Sequence, residues 1–334
     1  MIKSKLGIPY MGSKRSLAKP ILDFIIEQNP NAKYFYDLFG GGGSMSFEAL
    51  QRKQFKEVYY NELNTSIVSL LNKIKEDGVT DEFYEWVSRE DFKEYKNDSD
   101  WKSGLIQTCW SFGSNQKGYL YGIPKENNKR LMHNIIVNRC IKSLNIINGK
   151  YNLSIELGSM DESINNRRLR VQSSIFDMLD DDNIEGVGSF MIVKNSTRNV
   201  SQHLQNIDKL KKIENLYNLK NLEISNQSAF DVKINTPIEE TIIYLDPPYI
   251  KTGQYKEKLN HDELYEYIEN SPYKIYMSSY ESHLPSVFQI NHRSTLSAKN
   301  NNKKVVEKLF TNTKPILNNS SYNYYLDCDI LDEF

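Results

Sequence analysis

Apolar residues along this chain recur with two periods, and the places where the period changes mark out its elements. Leu17, Ile21, Phe24 and Ile25 share one face of a helix over residues 16 to 27. The aromatic run Tyr34-Phe35-Tyr36 reads as a strand, and Met45, Ala49 and Leu50 give the inward face of a helix after it. Glu57-Val58-Tyr59-Tyr60-Asn61 reads as a second strand, followed by a helix marked by Ile67, Leu70, Leu71 and Ile74. The same alternation resumes at Val200, Leu204, Ile207, Leu210 and Ile213, a helix, and at Leu222-Glu223-Ile224-Ser225-Asn226, a strand. Thr241-Ile242-Ile243-Tyr244-Leu245 is apolar without a break and rich in β-branched residues, as a strand buried on both faces should be. Asn260, with Glu263 three residues on, marks a further helix start, and Lys274 to Met277 a further strand. Strands alternating with helices predict an α/β fold with a mostly parallel sheet.

From about residue 75 to 200 the chain is polar, aromatic and rich in Asn and Asp, and the alternation stops. Loops of that length without structure of their own are uncommon in compact domains. Residues 75–200 are therefore expected to form an inserted domain, and 1–74 with 201–334 one α/β domain around it. At 334 residues the chain can bury a sizeable core. Its net charge of −1 means that a nucleic-acid partner would need a local basic face. Two runs offer one: Asn165 to Arg170, with Arg167, Arg168 and Arg170, and Lys299 to Lys304; each reads equally well as a solvated face. Cys109, Cys140 and Cys328 have neither metal-ligand nor disulfide spacing, which suits a reducing cytoplasm. No apolar run reaches membrane length and no signal-peptide core opens the chain, so a cytoplasmic protein without a membrane partner is expected.

The candidate chemistry sits where the predicted strands end. Asp246-Pro247-Pro248-Tyr249 follows the most apolar strand, at the carboxyl end where open α/β sheets place their ligands. It combines a carboxylate, two fixed φ angles and an aromatic face, a kit suited to gripping a planar base that carries an amino group. Alone, it is equally a turn closed by prolines. Far upstream, Tyr34-Phe35-Tyr36-Asp37-Leu38-Phe39 runs into Gly40-Gly41-Gly42-Gly43 and then a helix. Strand, glycine loop and helix form a cradle for a nucleotide-like ligand, and the missing Gly-Lys-Ser/Thr ending argues against a phosphate-binding P-loop. Glu62 follows the next strand at roughly the 20-residue spacing of a ribose-binding carboxylate; as a bare residue it could also cap the helix that starts near Thr65.

Together these motifs resemble the Dam-like DNA adenine methyltransferases, in which the cofactor motif precedes DPPY. Tyr10-Met11-Gly12-Ser13-Lys14 is similar to that family's first cofactor segment. Phe39 to Gly43 is similar to its FxGxG loop. Asn61-Glu62-Leu63-Asn64 is similar to its acidic segment, with Glu where Asp is usual, and Ser228-Ala229-Phe230-Asp231 to its adenine-pocket segment. The closing strands, from Lys274 through Arg293-Ser294 to Glu307-Lys308-Leu309-Phe310, also match. The resemblance implies a Rossmann-like S-adenosylmethionine-dependent methyltransferase fold with a mixed, mostly parallel seven-stranded sheet and an inserted, mainly helical target-recognition domain. It implies a site-specific DNA adenine methyltransferase acting on a flipped adenine in double-stranded DNA. Asp246, Pro247, Pro248 and Tyr249 would be catalytic. Tyr10, Met11, Gly12, Lys14, Asp37, Phe39, Gly41, Gly43, Glu62, Ala229, Phe230 and Asp246 would meet S-adenosylmethionine, and no metal is required.

Within the insertion, Trp110 to Gly122 alternates aromatics, amides and glycines with a lysine. Asn and Gln can read adenine and Arg guanine in the major groove, which makes Asn115, Lys117 and Tyr119, with Arg167, Arg168 and Arg170, the candidate DNA contacts. A glycine-rich turn with core aromatics accounts for Asn115, Lys117 and Tyr119 equally well. RNA adenine, another amine, or a catalytically silent DNA-binding module remain rival readings. No nuclease motif is apparent, so any restriction partner is expected on a separate chain, and the enzyme is expected to act as a monomer or weak dimer.

Overall fold

A computed structural model describes residues 6–179, 199–248, 259–293, 304–313 and 323–324. Five parallel strands form the heart of the sheet: β1 (Tyr34–Asp37), β2 (Glu57–Asn61), β3 (Leu222–Ser225), β4 (Thr241–Leu245) and β5 (Lys274–Ser279). Beyond them β7 (Lys304–Thr311) runs antiparallel to both β5 and β6 (Ser286–Arg293). The order is β3-β2-β1-β4-β5-β7-β6, the expected seven strands, extended at the β6 edge by the two-residue β8 (Asn323–Tyr324). Ser294, Lys299 and Cys328 lie outside the described residues.

Successive strand residues point to opposite faces, and here both faces are buried. Phe35, Val58, Tyr60, Ile242, Tyr244 and Tyr276 enter one apolar cluster, while Tyr36, Ile243, Leu245, Ile275 and Met277 enter a second. The first face is covered by α1 (Ala18–Gln28), α2 (Ser44–Leu50), α3 (Thr65–Asp77) and α9 (Gln202–Glu214), and the second by α10 (His261–Asn270). Asn260 caps α10, its Oδ1 accepting from the backbone N–H groups of Asp262 and Glu263.

The chain lays down β1, β2 and β3 in one direction and then returns to place β4 on the other side of β1. That reversal opens a crevice at the carboxyl ends of β1 and β4, the ligand position of such sheets. Asp37, last residue of β1, lies opposite Tyr244 in register, two residues before Asp246.

Between α3 and residue 179 the described chain is mainly helical: α4 (Arg89–Tyr95), α5 (Trp101–Cys109), α6 (Ile123–Ile136), α7 (Ile141–Tyr151) and α8 (Ile164–Leu179). These helices share the first cluster, which runs from Phe35 and Val58 through Ile67 and Leu70 to Leu105, Trp110, Met132 and Ile175. Helix α5 crosses α3 closely: a Cβ on Gly104 would stand 2.2 Å from the Ser66 carbonyl oxygen. A polar seam joins α6 to α9. His203 bonds His133 at 2.9 Å and the Tyr121 hydroxyl at 2.7 Å, with Trp110 stacked on its ring. Lys129 is fully buried and donates to the carbonyls of Asn199 and Val200.

Candidate active site

The glycine loop is pressed between two tyrosines. Beneath it lies the Tyr60 ring, so close that a Cβ on Gly40 would fall 2.2 Å from a ring carbon. The Tyr60 hydroxyl donates to the Gly41 carbonyl at 2.7 Å. Gly43, at φ +71°, takes the left-handed turn into α2, which a residue with a side chain would resist. Above the loop, the Ile8 N–H donates to the Gly42 carbonyl at 2.8 Å, and Tyr10 stands over Gly41. The Tyr10–Lys14 segment then turns through Gly12, at φ +79°, into α1.

Two carboxylates face this loop. Glu62 accepts the Gly41 N–H on Oε2 at 2.8 Å and the Asn64 N–H on Oε1 at 2.9 Å. Burial raises its pKa above the ordinary carboxylate value even against those donors. The cap of α3 is Asn64, whose side chain accepts from the Ser66 N–H, so Glu62 is left to the loop. Asp37 is 1% exposed and accepts from the Ser46 hydroxyl at 2.7 Å. Burial, with the carboxylates of Asp246 and Glu62 nearby, pushes Asp37 up to about 7 despite that bond. Asn61 locks the strand ends behind them, donating to the carbonyls of Leu38 and Gln227 and accepting from the Ser225 hydroxyl.

Asp246 stands across the crevice, one-fifth exposed, with Lys14 on it. The Lys14 ammonium donates to Asp246 Oδ1 at 2.8 Å and lies 3.7 Å from Glu307 Oε1. Burial disfavours the ammonium, but the two carboxylates outweigh it and hold its pKa above the usual lysine value. Lys14, expected beside a cofactor, is thus joined to the carboxylate of the DPPY motif. Pro247 is buried and Pro248 half-buried, while Tyr249 lies outside the described residues. Ala229 is buried beyond β3, and Phe230 packs half-buried against Tyr267 at 5.6 Å between ring centres. Met11 and Phe39 are half-buried beside the loop residues.

The candidate DNA contacts separate into two groups. Asn115 and Lys117 lie on a tight loop closed by the Phe112 N–H donating to the Gly118 carbonyl. Ser114 and Gln116 both have positive φ there, and Asn115 Oδ1 accepts the N–H groups of Lys117 and Gly118. Gln116 reaches Asn64 at 3.4 Å, which puts this loop at the rim of the crevice. Tyr119 turns inward: its hydroxyl donates to the Val87 carbonyl, and its ring packs on Phe92, Trp110 and the Arg89 guanidinium. The arginines are also committed internally. Arg167 is 4% exposed and donates to the carbonyls of Ile136 and Glu162. Arg168 is buried against Asn165, and Arg170 makes a fork of bonds to both oxygens of Glu162.

Sequence reasoning gave no site role to Tyr60, Asn61, Ser46 or Glu307. Glu307 is buried on a strand that also carries Lys304 and Lys308, so its role is visible, like the others, only in the folded chain.

Residues 10–314 match the family model described as D12 class N6 adenine-specific DNA methyltransferase. No curated protein matches the chain.

Proposed function

The chain belongs to the D12 class of N6 adenine-specific DNA methyltransferases, and from that premise we propose that the crevice beside β1 and β4 holds S-adenosylmethionine and presents Asp246 to a flipped adenine. The enzyme methylates the exocyclic amino nitrogen of adenine at specific DNA sites. The observation that carries the reading is that Asp37, Glu62 and Asp246 gather at the sheet's switch point, with Glu62 bonded to the glycine loop.

The residues present fit the cofactor. Gly41 and Gly43 allow close backbone approach, and Tyr10, Met11, Gly12 and Phe39 wall the loop. Asp37 would take the amino group of the methionine moiety, Glu62 the ribose hydroxyls, and Ala229 with Phe230 the adenine. When bound, S-adenosylmethionine supplies an activated methyl group on a sulfonium. The target nitrogen is a weak nucleophile because its lone pair is delocalised into the ring. Asp246 and the Pro247 carbonyl accept its two hydrogens, which favours a pyramidal nitrogen and stabilises the positive charge that develops on it. Tyr249 would stack on the base. The crevice must hold nitrogen and methyl carbon in line at about 3–3.5 Å. The base reaches it only by leaving the stack, at a cost of a few kcal/mol.

Residues 75–200 would recognise the target, with the Asn115–Lys117 loop against DNA at the crevice rim. Any paired endonuclease would be a separate chain, and the enzyme would act as a monomer or weak dimer. The test is cofactor binding by calorimetry. Glu62→Ala should weaken S-adenosylmethionine binding by about tenfold, the value of one hydrogen bond to a charged group. An unchanged dissociation constant would remove Glu62 from the cofactor site.

A further inference from the structure

Asp246 has to meet an amino group with an open carboxylate, yet Lys14 occupies Oδ1 at 2.8 Å. A cation so close neutralises the charge that should favour positive charge on the target nitrogen, and it takes up an oxygen that should accept an N–H hydrogen. An ammonium that moved off Asp246 as the base entered would leave the whole carboxylate open to the amino group. It cannot leave for nowhere: Lys14 is 8% exposed, and an uncompensated buried cation is costly.

A second carboxylate stands within its reach. Glu307, on β7, is 3% exposed and its Oε1 lies 3.7 Å from the Lys14 ammonium. The three groups form a row, Asp246, Lys14 and Glu307, drawn from the N-terminal segment, the DPPY loop and an antiparallel strand. Tyr244 and Tyr280 border the row. Lys14 needs only to tilt along a flexible four-carbon stem to exchange one carboxylate for the other.

Resting on the assignment of Asp246 to catalysis, we propose that Glu307 is a positioning residue that receives the Lys14 ammonium when the target adenine engages Asp246. With the cation on Asp246 one oxygen of that carboxylate is occupied. With the cation on Glu307 the Asp246 carboxylate is open and charged. Glu307 thereby acts on the methyl-transfer step through Lys14 and touches neither substrate nor cofactor.

The test is a double-mutant cycle on single-turnover methylation of a duplex containing the target site, using the full-length protein. Glu307→Gln should slow the transfer by about tenfold, within the range for residues sharing one ion-pair network, while the dissociation constant for S-adenosylmethionine stays unchanged. In a Lys14→Gln background, Glu307→Gln should have no further effect, since there is no cation left to receive. Glu307→Asp should recover part of the rate. Equal slowing by Glu307→Gln in both backgrounds would reduce Glu307 to a structural role and overturn the proposal, as would loss of cofactor binding in Glu307→Gln. An Asp246→Ala protein that methylates as fast as the parent would overturn the underlying assignment, a result that the cycle distinguishes from failure of Glu307 alone.

Discussion

At the scale of single residues, burial sets the chemistry of Asp37. In the unfolded chain this carboxyl titrates near the ordinary value, and in the folded protein at about 7. Between those values the folded state holds a proton that the unfolded state has lost, so the contribution of Asp37 to stability is present at low pH and declines as pH rises to about 7. A ligand ammonium on Asp37 favours the ionised form. Binding of S-adenosylmethionine just below that pH should therefore release a proton, and affinity should rise with pH up to about 7 and then level off. Calorimetry in two buffers of different ionisation enthalpy reads the release directly, and Asp37→Asn should abolish it. Equal release in that variant would show that Asp37 does not meet the amine. Arg167 makes the opposite kind of prediction. Its guanidinium satisfies carbonyls at the end of α6 and in the turn before α8, so Arg167→Ala should cost about 1–3 kcal/mol of stability with no loss of DNA affinity in the folded fraction. Thermal melting and a DNA titration on the same sample separate the two; weakened DNA binding with an unchanged melting point would restore Arg167 to the DNA face.

At the scale of elements, the packing of α5 on α3 ties the helices between α3 and residue 179 to the sheet layer. Gly104 permits that crossing, because a Cβ would meet the Ser66 carbonyl rather than a side chain able to move aside. Gly104→Ala should cost about 1–3 kcal/mol through overpacking, measured as a lower denaturation midpoint. An unchanged midpoint would mean that the two helices do not share one core. The five parallel strands were legible in the chain as short runs, most plainly Thr241 to Leu245, which is apolar and buried throughout, whereas β6 and β7 were indicated only by the resemblance. The helices α4 to α8 were not legible one by one, for a physical reason: their inward faces are partly polar. Ser103, Gln107 and Thr108 on α5, and Asn128, Lys129 and His133 on α6, are buried and bonded within the protein. They break the apolar period that marks a helix in sequence. The glycine loop and DPPY motif were readable because their residues are contiguous. The pairing of Lys14 with Asp246 spans 232 positions and exists only in the folded chain.

At the scale of the whole molecule, one sheet brings the N-terminal segment, the glycine loop, the acidic residue after β2 and the DPPY loop to a single crevice, with the Asn115–Lys117 loop at its rim. The near-neutral net charge of −1 leaves DNA binding to a local face rather than to overall attraction. The central claim is that this crevice methylates adenine in DNA through Asp246. It is tested most directly by single-molecule sequencing of DNA from a methylation-free host expressing the protein, beside a host expressing Asp246→Ala. The account predicts methyladenine at one recurrent motif with the parent protein and none with a variant that still folds and binds S-adenosylmethionine. Unmodified DNA from the parent, or an undiminished motif from the variant, would contradict it.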